Sequence, residues 1–400
     1  MALTATIYGG DIHLAGNPLR VRVTGGSPPA GSSEYKYLLK LISVDDDLYG
    51  APFIDAIVPD SDDAALFDIS GLIDQPVKKA FEYPEFNLVR GYNDQVFSVK
   101  VQPGESYIDE NGDLQEDFGN ETETFSCVKG GVSQRQINQW LFNNTNFYQI
   151  YIVGKRWLTL RPWGDFVHPN QPVKLFFMVS STITLDFVIT YSFDDGTSGT
   201  ITLPTTLHAG NLYEFMCNPK SHSINLQPTG KRVTHFDCVL KSGGSNYSNN
   251  FRFTFDWKLC ERPYFLMFAN SLGGVDDVYL SGLAAEKFET SGTMVTRPAT
   301  MTDDVVDPTL IMPDRNGRNT WAINTGYKST SQMRHLRDLM LSKQAWLLYP
   351  NLSVSNYIVI PVIVESGEQT IVDYQNDIHA LEIGITEAHD NKYGFDNSLY

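Results

Sequence analysis

Apolar and polar positions alternate along much of this chain. Leu19, Val21 and Val23 are interleaved with Arg20, Arg22 and Thr24, and Tyr35, Tyr37, Leu39 and Leu41 keep the same period of two. A strand turns successive side chains to opposite faces, so this pattern predicts half-buried strands. The clearest alternation lies further on. Ile183, Leu185, Phe187, Ile189, Tyr191 and Phe193 form one row. Phe251, Phe253, Phe255, Trp257 and Leu259 form another, opposite Arg252, Thr254, Asp256 and Lys258. Residues 173–179 are almost continuously apolar, as expected of a strand buried on both faces. Residues 96–101, 147–153, 157–160 and 357–364 also read as strands, Pro361 marking the last as an edge or a bulge. Leu381, Ile383 and Ile385 give a final one.

Between the strands lie turn signals. Asn111-Gly112 reads as a hairpin turn and Asp195-Gly196 supplies a positive-φ turn, because glycine accepts the positive φ such turns require. Asp314-Arg315-Asn316-Gly317 reads the same way ahead of a strand containing Trp321. Pro18, Pro52, Pro59 and Gly71 punctuate the N-terminal third, and the Gly- and Pro-rich residues 25–33 read as a surface loop. Only two stretches have helical spacing. Residues 133–142 start at Ser133, a good N-cap, and put Ile137, Trp140 and Leu141 on one face. Residues 329–342 start at Ser329 or Thr330 and carry a Met333, Leu336, Leu339, Met340 stripe suited to docking on a sheet.

These elements predict a mainly β protein with two immunoglobulin-like β-sandwich domains in series and a small C-terminal α+β domain. The expected divisions are 1–130 for the first sandwich, 131–165 for a helix–strand connector, 166–285 for the central sandwich and 286–400 for the α+β domain. A length of 400 residues accommodates that plan. The abundance of Tyr and Phe, with 42% hydrophobic residues and 19% charged, favours strands over long helices.

The formal net charge of −17 argues against nucleic acid as a partner, since phosphate neutralisation needs a basic footprint. No apolar run is long enough for a membrane span. The N-terminal residues lack the basic and apolar regions of a signal peptide, so synthesis in the cytoplasm is expected. Cys127, Cys217, Cys238 and Cys260 form no CxxC pair. Buried free thiols are the ordinary reading, and nothing in the spacing indicates a Cys217–Cys238 disulfide.

Chemistry is nearly absent from the motifs. No GxSxG elbow, Walker A loop, GxGxxG fingerprint or HxxxH pair occurs. No catalytic, cofactor-binding or metal-ligating residue is therefore assigned. A pair of glycosidase carboxylates is set by separation in space and stays open at this point. The acidic runs Asp45-Asp46-Asp47 and Asp60-Ser61-Asp62-Asp63 suit calcium by ligand type, but read first as solvated loop tips. The stretch from Asp109 to Asp113 fails as an EF-hand loop, since Leu114 stands where glycine is needed and Asn120 where glutamate is needed. The sequons at Asn120, Asn143, Asn246 and Asn351 carry no weight without a signal peptide.

Residues 264–282, YFLMFANSLGGVDDVYLSG, join two strand-like runs through Asn270-Ser271-Leu272-Gly273-Gly274. With no basic residue in it, the turn is a poor phosphate loop. Gly273 and Gly274 read as permitting a tight reversal, with Asn270 hydrogen-bonding the loop backbone. This run and the preceding NFRFTFDWKLC resemble a recurring module of Bacteroidetes phage and prophage structural proteins, crAss-like or related. Residues 154–179 resemble the segment that opens the module, and residues 65–73 resemble it in the N-terminal part. The resemblance implies a virion tail or tail-associated structural protein, assembling with copies of itself and with other virion proteins, and it implies no catalytic residues. Two other readings stand beside it: a receptor-binding protein recognising a host surface glycan on aromatic side chains, and a glycan hydrolase.

Overall fold

The computed structural model describes residues 3–44, 53–60, 62–73, 88–92, 95–122, 124–258, 263–296, 301–302, 305–306, 310–350, 357–365 and 378–389. The protein is mainly β, with several sheets. It divides into two compact units. The first comprises Met1–Gly164, Pro172–Thr254 and Asn270–Val275; the second comprises Asp165–Gln171, Phe255–Ala269 and Asp276–Tyr400.

The first unit begins with strands β1 (Thr4–Ile7), β2 (Ile12–Leu14), β3 (Arg20–Thr24), β4 (Ser33–Ser43), β5 (Phe53–Ile57) and β6 (Ala64–Asp68). They are followed by β7 (Val89–Tyr92), β8 (Val96–Ile108), β9 (Leu114–Phe118) and β10 (Phe125–Val128). A three-stranded sheet, β1-β3-β6, and a sheet ordered β2-β10-β8-β4-β5, with β9 on β8, share one core. Val21, Val23 and Phe67 face Leu39, Leu41, Val99 and Cys127 there, all essentially removed from solvent. The predicted period of two thus reports burial. The turn at Asn111-Gly112 joins β8 to β9: Gly112 sits at φ 84°, and Asp109 Oδ1 accepts the N–H groups of Asn111 and Asp113.

Helix α1 (Gln134–Phe142) starts where Ser133 caps it, the side chain accepting the Gln136 N–H. Its packing differs from expectation. Trp140 is buried and Ile137 half-buried, whereas Leu141 and Phe142 face solvent. The next stretch departs further. Residues 147–153 do not form a strand but wind into a helical turn over Tyr148–Val153. Two local interactions explain this. Asn146 Oδ1 accepts the Gln149 N–H at 2.8 Å, and Phe147 stacks on Tyr151 four residues on at 5.5 Å. Residues 157–160 are not a strand either. Trp157 and Leu158 are buried as single insertions, Leu158 donating its N–H to Phe176 O.

The unit continues with β11 (Lys174–Met178), β12 (Ile183–Phe193), β13 (Ser198–Leu207), β14 (Leu212–Met216), β15 (Val233–Ser242) and β16 (Phe251–Phe255). One sheet runs β11-β14-β7 and another includes β16-β15-β12-β13. Strand β7, from early in the chain, pairs antiparallel with β14. Trp157 touches Phe177, Phe187 and Phe215, so the two sheets meet around one indole. Phe251 and Phe253 are buried, Phe253 stacking on Phe236 of β15; Phe255, which falls in the second unit, is buried, Trp257 is half-buried, and Leu259 lies outside the described residues. The Asp195-Gly196 reversal links β12 and β13, with Gly196 at φ 81°.

Among the described residues, the second unit is built on a seven-stranded sheet and a helix, with two short two-stranded pairings beside them. Its strands are β17 (Tyr264–Ala269), β18 (Val275–Leu280), β19 (Ala284–Thr296), β20 (Leu310–Asn324), β21 (Ala345–Pro350), β22 (Tyr357–Val364) and β23 (Glu382–Glu387), ordered β18-β17-β21-β22-β23-β20-β19. Helix α2 (Thr330–Leu341) lays Met333, Leu336 and Leu339 on Leu266, Phe268, Leu347, Ile383 and Ile385. Ser329 forms a capping box with Gln332.

Two expectations fail in this unit. Asp314 to Gly317 is not a turn but lies inside β20, paired with Thr290 to Thr293. Glycine is tolerated there because the Phe288 ring covers it: a Cβ on Gly317 would stand 2.3 Å from Phe288 Cζ. Pro361 does not mark an edge, for β22 lies between β21 and β23. It pairs with Trp346 of β21 and sits at the end of the β22–β23 ladder, where its carbonyl accepts the Ala388 N–H.

Candidate functional site

Asn270, Gly273 and Gly274 form the turn between β17 and β18, and this turn belongs to the first unit. Asn270 is 4% exposed, and every polar atom of its side chain is engaged. Oδ1 accepts the N–H groups of Leu272 and Gly274, each at 3.0 Å, and Nδ2 donates to Leu158 O at 2.9 Å. The Asn270 N–H donates to Gly274 O at 2.9 Å, closing the loop. Asparagine suits the position because one short amide both accepts from its own loop and donates to a distant carbonyl.

The two glycines are required for different reasons. Gly273 has φ +91°, and a Cβ there would lie 2.6 Å from Lys129 O. Gly274 has no such φ, but a Cβ would lie 2.9 Å from Phe176 Cβ. The strand β10 exit closes over the turn, with Gly131 N–H donating to Ser271 O at 2.9 Å. Leu272 is fully buried. The Asn270 side chain is wholly spent on backbone partners, and a Cβ at either glycine would press on its neighbours. What the arrangement does is fasten the β10 exit, the Leu158 segment and β11 together within one unit.

Sequence reasoning missed two sets of buried polar groups. In the first unit, Lys174 Nζ meets Glu214 Oε1 at 2.6 Å, and Tyr92 Oη donates to Glu214 Oε2 at 2.7 Å. Lys174 and Glu214 are each about 1% exposed. Lys174 falls in an apolar run, and Glu214 sits between Tyr213 and Phe215, so each breaks its local pattern. That interruption is the signal that could have flagged them.

In the second unit, Gln332 Nε2 donates to Asp165 Oδ1 at 2.8 Å, and His335 Nε2 meets Asp276 Oδ2 at 2.9 Å. Gln171 donates to Asp277 Oδ2, and His379 Nε2 meets Thr330 Oγ1 at 3.3 Å. Gln332 and His335 are three apart on α2 and so share a face of the helix. An Asp–His pair is a familiar catalytic fragment, but here both side chains are buried, at 1% and 3% exposure, and the Phe268 ring lies 5.4 Å from the imidazole. The pair anchors α2 to β18.

The remaining candidates are structural where they are described. Asp60 Oδ1 accepts the N–H groups of Asp62 and Ala64, so this acidic run holds its own loop. The Asp45–Asp47 run, Cys260 and the tail beyond His389 lie outside the described residues. Among the described residues, no group of three or more His, Cys, Asp or Glu side chains is arranged to hold a metal. Cys127, Cys217 and Cys238 are buried free thiols. Burial pushes the Cys127 thiol up, and burial together with a hydrogen bond to Cys217 does the same for Cys238. Trp140, Trp157, Trp321 and Trp346 are buried; Trp163 is 63% exposed, with the Arg252 guanidinium 5.2 Å from its ring.

No protein-family model and no curated protein matches the chain. Among solved structures it is similar to a marsupial T cell receptor, at 9% identity over 81% of this chain and 96% of that chain, with a TM-score of 0.20. At that score the likeness leaves the fold unassigned.

Proposed function

We propose that this chain is a structural component of a bacteriophage virion, in the tail or associated with it, and that it works by protein–protein assembly without catalysis. On this reading the first unit holds two immunoglobulin-like sandwiches in series, followed by the α+β domain. The partners are copies of the chain and other virion proteins, met after synthesis in the host cytoplasm. The observation that carries the reading is the Asn270–Gly274 turn. The stretch that resembles the phage module spends its polar atoms on packing, as a framework signature does and a binding loop does not. Purified virions labelled with an antibody to the chain test it by electron microscopy. Labelled particles are expected; label confined to material outside the particles refutes the proposal.

Recognition of a host surface glycan is the second reading, and one feature favours it. Trp163 offers an exposed indole over Arg252, which is itself held by Asp237 through two hydrogen bonds of 2.9 and 2.7 Å. A rigid aromatic beside a fixed guanidinium suits a sugar face. Binding on a glycan array that disappears in Trp163→Ala supports it; an array without signal removes it.

A further inference from the structure

Strands β19 and β20 form an arm. Among the described residues, β20 pairs with β23 over Thr320 to Asn324, Asn319 adds bonds from its N–H and Nδ2 to Glu387 Oε2, and the strand before Asn319 pairs with β19. All thirteen residues of β19 are exposed, and among the described residues β19 is the terminal strand of its sheet. A two-stranded ribbon is marginal in water, and an exposed edge of this length is a template for another strand.

We infer that the β19 edge pairs antiparallel with β19 of a second copy, about a two-fold axis at Phe288. The register follows from charge. With Phe288 opposite Phe288 of the second copy, Lys287 falls opposite Glu289 and Glu289 opposite Lys287, on one face of the sheet. These are the only charged residues of β19 apart from Glu286, which falls opposite Thr290. The pairing spans residues 284 to 292. It lies wholly within the regular part of the strand, since the bulge comes after Thr293. Phe288, 52% exposed in one copy, is covered in the pair. Two marginal ribbons become one four-stranded sheet joined over roughly 27 Å, and the contact is isologous, as two-fold interfaces are.

This deepens the assembly reading and draws its biological meaning from it, but the two fail separately: that one through unlabelled particles, this one through mass in solution. The test is sedimentation of the full chain over a concentration series. Wild type is expected to dimerise. Lys287→Glu sets two Glu–Glu contacts across the axis and Glu289→Lys two Lys–Lys contacts, so each alone should weaken the dimer about tenfold or more. An equimolar mixture of the two variants restores both opposite-charge contacts and should form a heterodimer, which also shows that the variant arms are folded. Wild type that stays monomeric, an oligomer that neither substitution weakens, or a mixture no better than its components overturns the inference.

Discussion

Gly273 illustrates how narrowly one position is determined. Its positive φ excludes a β-branched residue, and the Lys129 carbonyl excludes any Cβ. Gly273→Val is expected to lose about 3 kcal/mol or more, and Asn270→Ala about 3 kcal/mol, because buried loop N–H groups and a carbonyl lose their partners. Thermal unfolding of both variants measures this. A Gly273→Val protein with wild-type stability would show that the turn can relax. Histidines give a second expectation. Burial holds His13, His222 and His235 below their usual value of 6.5. The folded imidazoles resist protons that the unfolded chain takes up. Their effect is to leave stability whole above about pH 6.5 and to lower it as pH falls from there toward the folded values. Urea midpoints between pH 7.5 and 5.5 should fall, and His13→Gln should flatten the fall. The role of Asn270 was legible in sequence because it acts on its own loop. Its bond to Leu158 was not, being 112 residues away. The same distance effect hid Gln332 and His335, whose partners Asp165 and Asp276 lie in other strands or loops of their unit.

At the scale of elements, local chemistry predicted well where it acted alone. The rows at Tyr37 to Leu41 and Leu185 to Ile189 became buried faces, and the chain reverses at Asn111-Gly112 and at Asp195-Gly196 with a positive φ at each glycine. Helix α2 starts at the expected cap, and Ser329→Ala should cost it about 1 kcal/mol, measured as a shift in the urea midpoint; no shift would mean that packing alone sets the helix start. Failures came where a neighbour overruled propensity. Residues 147–153, YQIYIV with its preceding Phe, are rich in strand formers, yet Asn146 and the Phe147–Tyr151 stack wind them into a turn of helix. Asp314 to Gly317 is composed of turn formers, yet pairing with β19 and the Phe288 ring keep it extended. In both cases the deciding group is an aromatic side chain, whose packing partner a residue-by-residue reading does not supply.

At the scale of the whole molecule, the mainly β class was legible, because period-two patterning survives any arrangement of strands. The order of strands within sheets was not. Strand β7 crosses from early in the chain to pair with β14, and the first unit takes its last segment, Asn270–Val275, after a stretch assigned to the second. That discontinuity bears on biosynthesis. When residue 164 leaves the ribosome, the first unit still lacks β11 to β16 and the turn that fastens them. At roughly 5–20 residues per second, the nascent chain waits on the order of ten seconds for Gly273 to arrive. During that interval the core that β3, β4, β6, β8 and β10 share is already synthesised, whereas Trp157 still lacks the Phe177, Phe187 and Phe215 rings it packs on, so slower translation through residues 165–275 is expected to lengthen the exposure of that segment.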